Sequence, residues 1–297
     1  MGTALLINYI SWCDLGFLDG VRTADSAAAR LDLAQDQLLL LSPGIIQLWF
    51  QAMPIFINEG SVFVQITRQH PRLNIEEALA RRGEDPARFV EPFMKIWDDP
   101  RYQTCGSTPV ETPVRGPTSY AWHLLLGLET ELSHGSSLPC APVSMEGHDE
   151  KKKLMRLRDA VTKITSKYAS VDQPDASITS KSARSSFENI IRRMSPLFCC
   201  EALVSVSNAA VHSSPMPNEA DIEQLFYGFP NLWSGPFAEL MMKGDSRVLV
   251  FLFHFYRAAR ILLAPERCWW ASVRSAVMEE LILEELRSRG LDVRLPD

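Results

Sequence analysis

The chain is poor in the residues and spacings that mark a chemical specialist. Only six cysteines occur in 297 residues, at 13, 105, 140, 199, 200 and 268, and no two of them stand in a C-x2-C spacing. That scatter supplies no zinc site and no disulfide framework, so reduced thiols in the nucleus or cytoplasm are expected. Basic charge is also short: Lys and Arg total 30 against 36 Asp and Glu, a net charge of -6. A nucleic-acid binder draws much of its affinity from a basic surplus, so direct contact with DNA or RNA is not expected. No stretch reaches the ~20 apolar residues of a membrane span. The longest apolar stretch, Val248 to Leu263, is interrupted by His254, Arg257 and Arg260. The first ten residues lack the basic region and small-residue cleavage site of a signal peptide. No membrane partner is expected.

Catalytic signatures are missing too. There is no P-loop, no G-x-G-x-x-G, no G-x-S-x-G elbow and no H-E-x-x-H. The six histidines, at 70, 123, 134, 148, 212 and 254, never share a helical face at i, i+4. Asp98-Asp99 precedes Pro100 as loop punctuation, with no second acidic cluster to make a magnesium site. Neither a metal nor a cofactor is expected. Glu279-Glu280 and Glu284-Glu285 alternate with Leu281, Ile282, Leu283 and Leu286, the pattern of a solvated helix face. The one basic run, Lys151 to Arg158, opens an amphipathic stretch.

What the chain does have is helical periodicity. Composition is 46% hydrophobic and 22% charged, ordinary for a globular fold. Residues 3–18 are apolar nearly all round and read as a buried helix. Ser42-Pro43 reads as the N-cap and first residue of a helix over Ile45 to Ile57. Asn74 with Glu77 reads as the cap of a helix over Ile75 to Arg82 that Gly83 closes. Further helices are predicted over 120–132, 151–168, 187–212 (whole or broken at Pro196), 226–242, 246–264 and 269–288, the last capped by Gly290. Residues 98–118, 133–150 and 170–185 are rich in Pro, Gly, Ser or Thr and read as mobile loops. Val62, Val64 and Ile66 alternate like a strand, but with no partner strand nearby the segment reads as helical. The expectation is an all-α, bundle-like single domain over 1–297, with roughly a dozen helices.

Aromatic and methionine side chains crowd the second half: Phe229, Trp233, Phe237 and Met241, then Phe253 and Tyr256, then Trp269 and Trp270, with Trp49 and Met53 earlier. Such residues build either a filled core or an apolar ligand pocket with few polar anchors, and the sequence does not separate the two. His254 reads as a core histidine bonded to a neighbouring element, or as an anchor in such a pocket.

Two stretches carry a resemblance. Leu31 to Val64, and Phe187 to Val293 centred on Phe229-Pro230, Phe237, Leu240-Met241, Val248 to Ala264 and Trp269-Trp270, are similar to the C-terminal regulatory region of fungal binuclear zinc-cluster transcription factors, particularly the sterol-uptake-control type. The family's zinc-cluster module has no counterpart in these residues. The resemblance implies a helical regulatory domain that forms a homodimer and holds a sterol, terpenoid or polyketide against Trp49, Met53, Phe229, Trp233, Phe237, Met241, Phe253, His254, Tyr256, Trp269 and Trp270. A second class of function stays open. A stand-alone protein of secondary metabolism could bind a hydrophobic intermediate and steer its cyclisation or isomerisation, with His254, Tyr256, Arg257 and Glu239 as polar anchors.

Overall fold

The computed structural model describes residues 2–18, 31–65, 69–103, 117–134, 148–169, 183–206 and 215–296. Among these residues the protein is all-α, with eleven α-helices and no strand. In chain order they are α1 (Gly2–Cys13), α2 (Gln37–Asn58), α3 (Pro71–Arg81), α4 (Val90–Asp98), α5 (Pro117–His134), α6 (His148–Ala169), α7 (Ala183–Val206), α8 (Glu219–Gly228), α9 (Gly235–Met242), α10 (Ser246–Leu262) and α11 (Trp269–Ser288). Short 3-10 turns lie at Gly16–Leu18, Leu33–Gln35, Pro86–Phe89, Pro100–Tyr102 and Phe229–Leu232.

α10 is the centre of the main core, since twelve of its seventeen residues are buried. Asp245 starts it by accepting from the Arg247 backbone N–H at 3.0 Å, the side-chain capping that satisfies an orphan donor of the first turn. The Asp245 carboxylate also takes the Arg247 guanidinium at 2.7 Å, and that guanidinium lies 3.9 Å from the Trp97 ring centre. α7 and α11 flank α10, and α4, α8 and α9 complete the layer around it. A second apolar cluster joins α2, α5 and α6 through Phe50, Met53, Leu124, Val161 and Ile164. α2 links the two clusters: Leu38 and Leu39 at its start belong to the first, Ile46 to Ile57 to the second.

Several boundaries differ from those the sequence predicts, each for a local reason. α2 does not begin at Ser42-Pro43. Its cap is Asp36, which accepts from the Leu38 N–H at 2.9 Å, and the helix runs through both Pro43 and Pro54. The Ser42 hydroxyl instead donates back to the Leu38 carbonyl, a mid-helix use of serine. α3 starts four residues earlier than predicted, at Pro71 rather than Ile75. Asn74 therefore sits inside the helix and donates to Asp221 at 2.9 Å. Gly83 and Gly290 adopt φ of +78° and +71°, the left-handed terminators expected after α3 and α11.

α7 stays unbroken at Pro196, while the stretch 226–242 divides into α8, a 3-10 turn and α9. Val62 to Gln65 form turns and the start of a helical turn, with no strand. Helices α4, α5 and α6 extend into the edges of two predicted loops. The remaining parts of those loops (104–116 and 135–147), most of 170–185, and residues 207–212 of the predicted continuation of α7 lie outside the described residues.

α1 is the largest departure. Its even apolar composition predicts burial on all sides, yet Leu6 and Ile10 are each 59% exposed. α2 holds a related surprise, because no charged residue occurs from Gln37 to Asn58. Among the described residues it is the one helix long and apolar enough to cross a membrane, with 44% of the relevant window buried inside the protein.

Candidate functional site

The residues that could line a pocket fall into three places. Phe229, Trp233, Phe237, Met241, Phe253 and Tyr256 are all buried in the main core. Phe229 meets Phe255 at 4.7 Å between ring centres and Trp233 at 5.2 Å, and Phe237 meets Phe251 edge-on at 5.6 Å. Rings at these spacings fill the space between α8, α9 and α10 with one another. Trp49 and Met53 belong to the separate α2–α5–α6 cluster, where the Trp49 ring stands 5.1 Å from Phe50. Trp269 and Trp270, by contrast, line a solvent-open groove.

Three of the four polar groups named as anchors, His254, Tyr256 and Arg257, are engaged with the protein itself. His254 Nε2 lies 2.8 Å from the Val293 carbonyl oxygen, across from the C-terminal segment. A carbonyl only accepts, so Nε2 carries the proton and the neutral ring is the Nε2–H tautomer. Burial lowers its pKa from 6.5 to about 4. Tyr256 is buried beside Arg274; burial pushes its phenol up to about 12, against the opposing pull of the guanidinium. Arg257 pairs with Glu201 at 3.3 Å. Burial raises the Glu239 carboxyl, and Lys243 opposes that shift.

The acidic pairs are similarly committed. Asp98 takes Arg184 at 3.1 Å and Asp99 takes Arg101 at 2.6 Å. Glu279 pairs with Arg260 and Glu285 with Arg289, while Glu280 and Glu284 face solvent. The last helix thus has two solvated acids of the four expected. Lys151, Lys152, Lys153 and Arg156 are exposed along α6, as a solvated amphipathic helix requires. Cys199 and Cys200 are buried on α7, and burial pushes their thiols up to about 11 and about 12, which disfavours the thiolate.

The groove is built from three elements. Leu6, Tyr9, Ile10 and Cys13 come from α1, Glu223 from α8, and Arg267, Trp269 and Trp270 from the start of α11 and the turn before it. It encloses about 600 Å³, within the ~300–1,000 Å³ of small-molecule sites. Trp270 forms its floor, 97% removed from solvent, while Trp269 at its edge is 64% exposed. Tyr9 packs against Tyr227 at 4.4 Å and edge-on to Trp270 at 5.9 Å. Cys13 Sγ contacts the Trp270 carbonyl oxygen at 3.8 Å, which ties α1 to α11. Arg267 on the rim is neutralised by Glu219 at 2.6 Å and Glu223 at 3.1 Å. The interior is therefore apolar with a balanced charge at one edge.

Sequence reasoning picks out the two tryptophans of this groove and misses the α1 wall, because an even apolar helix looks buried when its neighbours are unknown. A smaller polar groove of about 370 Å³ lies between α3 and α8, lined by Asn74, Arg81 and Asp221 among others.

Fold and groove together define an all-α protein whose aromatic core is packed on itself and whose accessible apolar site is a surface groove. Comparisons of the chain with protein-family models, with curated proteins and with solved structures give no match.

Proposed function

We propose that this chain is a non-catalytic regulatory domain, of the kind its resemblance to zinc-cluster transcription factors implies, that senses a hydrophobic small molecule at the Trp269–Trp270 groove. One observation carries the reading. The side chains of Leu6, Ile7, Tyr9, Ile10, Trp269 and Val273 are between 36% and 64% exposed on adjoining elements. That is on the order of 600 Å² of apolar surface, at the upper end of what a monomeric protein leaves uncovered. The core residues of the expected ligand set are already in contact with one another, so the proposed site shifts outward to the groove. A flat-sided apolar molecule of the sterol, terpenoid or polyketide class would lie along Leu6, Ile10 and Trp270. A polar end group would meet Arg267, whose partner Glu219 is 72% exposed and able to swing aside.

Native mass spectrometry of the purified protein, followed by denaturing extraction, tests this reading. A stoichiometric apolar molecule is expected, with Trp269→Ala lowering its occupancy at least tenfold. An empty wild-type protein that also fails to bind sterols, terpenoids and polyketides in titration sinks the proposal, as does binding that Trp269→Ala leaves unchanged.

A further inference from the structure

The outer sides of α2 and α6 adjoin, apolar on the first helix and basic on the second. From Gln37 to Asn58 α2 carries no charge, and its solvent-facing Leu41, Leu48 and Ile55 are 40%, 47% and 60% exposed. Val62, in the turns just past its end, is 79% exposed. α6 packs beside α2: the two share a buried cluster through Phe50, Met53, Leu154 and Val161, and Arg158 Nη1 donates to Asn58 Oδ1 at 3.1 Å. Lys151 stands seven residues before Arg158, two helical turns away, and so on the same flank, the one that borders α2. Lys152, Arg156 and Lys163 follow on the outward face, all exposed. Between His148 and Ala169 there are seven Lys and Arg against three Asp and Glu, a surplus of four in a chain whose net charge is -6.

We propose that this surface docks the protein on an anionic lipid bilayer, with α2 in the plane of the interface and α6 beside it among the headgroups. The distribution of charge selects the occupant. Apolar side chains at the acyl boundary with lysine and arginine alongside are the pattern of an interfacial helix. Clustered cations are drawn to a negative leaflet and weaken their hold as salt rises. A second copy of the chain fits poorly, because α2 against α2 brings two cationic α6 helices toward each other. A small apolar molecule needs a cleft, and the Trp269 and Asn74 grooves lie on other elements. A protein partner seats its anchoring side chains in pockets, whereas the side of one exposed helix is a ridge.

The sequence argues against a membrane partner because it shows no span, and docking in the interface plane requires none. α2 itself is held in the fold: Ile46, Phe50, Met53 and Ile57 on its inner side are covered by α5 and α6. This docking is independent of the groove reading, since it uses a different face.

Flotation of the full chain with phosphatidylcholine vesicles, with and without phosphatidylserine, tests it. The wild type is expected to float with the phosphatidylserine vesicles and to bind at least tenfold more weakly to pure phosphatidylcholine. Leu48→Glu on the ridge, and Lys152→Glu with Arg156→Glu on α6, should each weaken binding at least tenfold. Far-UV circular dichroism checks that both variants keep the wild-type helix content. Absence of flotation overturns the proposal, as does equal flotation with both kinds of vesicle or binding indifferent to either variant. In sedimentation velocity without lipid, a dimer that Leu48→Glu dissociates would assign the ridge to a second copy and overturn it equally. So would a photo-cross-linker at Leu48 that joins a protein instead of lipid in cell extract. Trp269→Ala leaves α2 and α6 untouched, so flotation surviving in it separates this result from failure of the ligand site. Flotation lost in Trp269→Ala but kept in Leu48→Glu would place the membrane contact at the groove and sink the proposal.

Discussion

Arg274 and Asp36 form an ion pair sealed from solvent, Nη1 to Oδ2 at 2.6 Å, with the two side chains 0% and 1% exposed. The same guanidinium donates to the carbonyl oxygens of Trp12 at 2.9 Å and Ser11 at 3.0 Å. Asp36 in turn caps α2. One side chain of α11 therefore holds the end of α1, the wall of the groove, and the beginning of α2. Burial raises the Asp36 carboxyl, and the charge of Arg274 opposes that shift.

Replacing Arg274 by Met should be strongly destabilising, because it removes the guanidinium from a buried carboxylate and from the carbonyls of Ser11, Trp12 and Asp14. A loss of about 3–5 kcal/mol is expected, read as a fall in the urea midpoint. Adding Asp36→Asn keeps a good N-cap and removes the stranded charge. The double variant should then be less destabilised than Arg274→Met alone; equal or greater loss would show that the pair is not the origin of the effect.

The histidine prediction turns on sign. His254 is held neutral in the fold, with its pKa lowered by burial from 6.5 to about 4. The unfolded chain takes up the proton first, so this contribution is complete above 6.5 and drains away as pH falls toward 4. Between pH 7 and pH 5 the loss is about 2 kcal/mol. His254→Gln, which retains an N–H for the Val293 carbonyl and does not titrate, should show a correspondingly smaller pH 7 to pH 5 difference in chemical denaturation. An identical difference in both proteins would refute the assignment.

Gly235 is a conformational requirement. Its φ is +62°, and a Cβ there would fall inside the indole of Trp122. Gly235→Ala thus combines left-handed strain with a clash at the junction of α9 and α5, for an expected loss of about 2–4 kcal/mol. Thermal unfolding checks this directly. A change within ~0.5 kcal/mol would mean that α9 and α5 part easily.

Trp269 should behave in the opposite way. It is 64% exposed, so Trp269→Ala should alter stability by less than about 1 kcal/mol. The fraction of tryptophan emission quenched by acrylamide should fall. A large loss of stability would indicate that Trp269 supports the fold rather than bordering an open groove.

Helix type was legible wherever apolar positions alternated with polar residues, as in α6 and α11. Starts were harder. Ser42-Pro43 satisfies the local rules for a helix start, yet Asp36 lies upstream with a buried arginine to fix it, and that partner is 238 residues away. The candidate site was half visible. Trp269-Trp270 stands out in sequence, but Leu6, Tyr9, Ile10 and Cys13 become a wall only after α1 is laid beside α11. The aromatic crowd around α10 had two meanings, and ring-to-ring contacts such as Phe229 with Phe255 choose the filled core.

The residues alone determined that the chain would be helical, because period-3.6 stripes and proline- or glycine-marked ends depend on neighbours within a few positions. They also determined that no familiar catalytic spacing is present. Which apolar faces meet and which are left to solvent was decided only by tertiary structure. Burial is a property of pairs of surfaces, and helices as uniformly apolar as α1 and α2 carry no local mark of the side that will be covered. The exposed Leu6, Ile10, Leu48 and Ile55 are indistinguishable in sequence from the buried Ile45, Ile46 and Ile57; the packing of α11 against α1, and of α5 and α6 against α2, separates them.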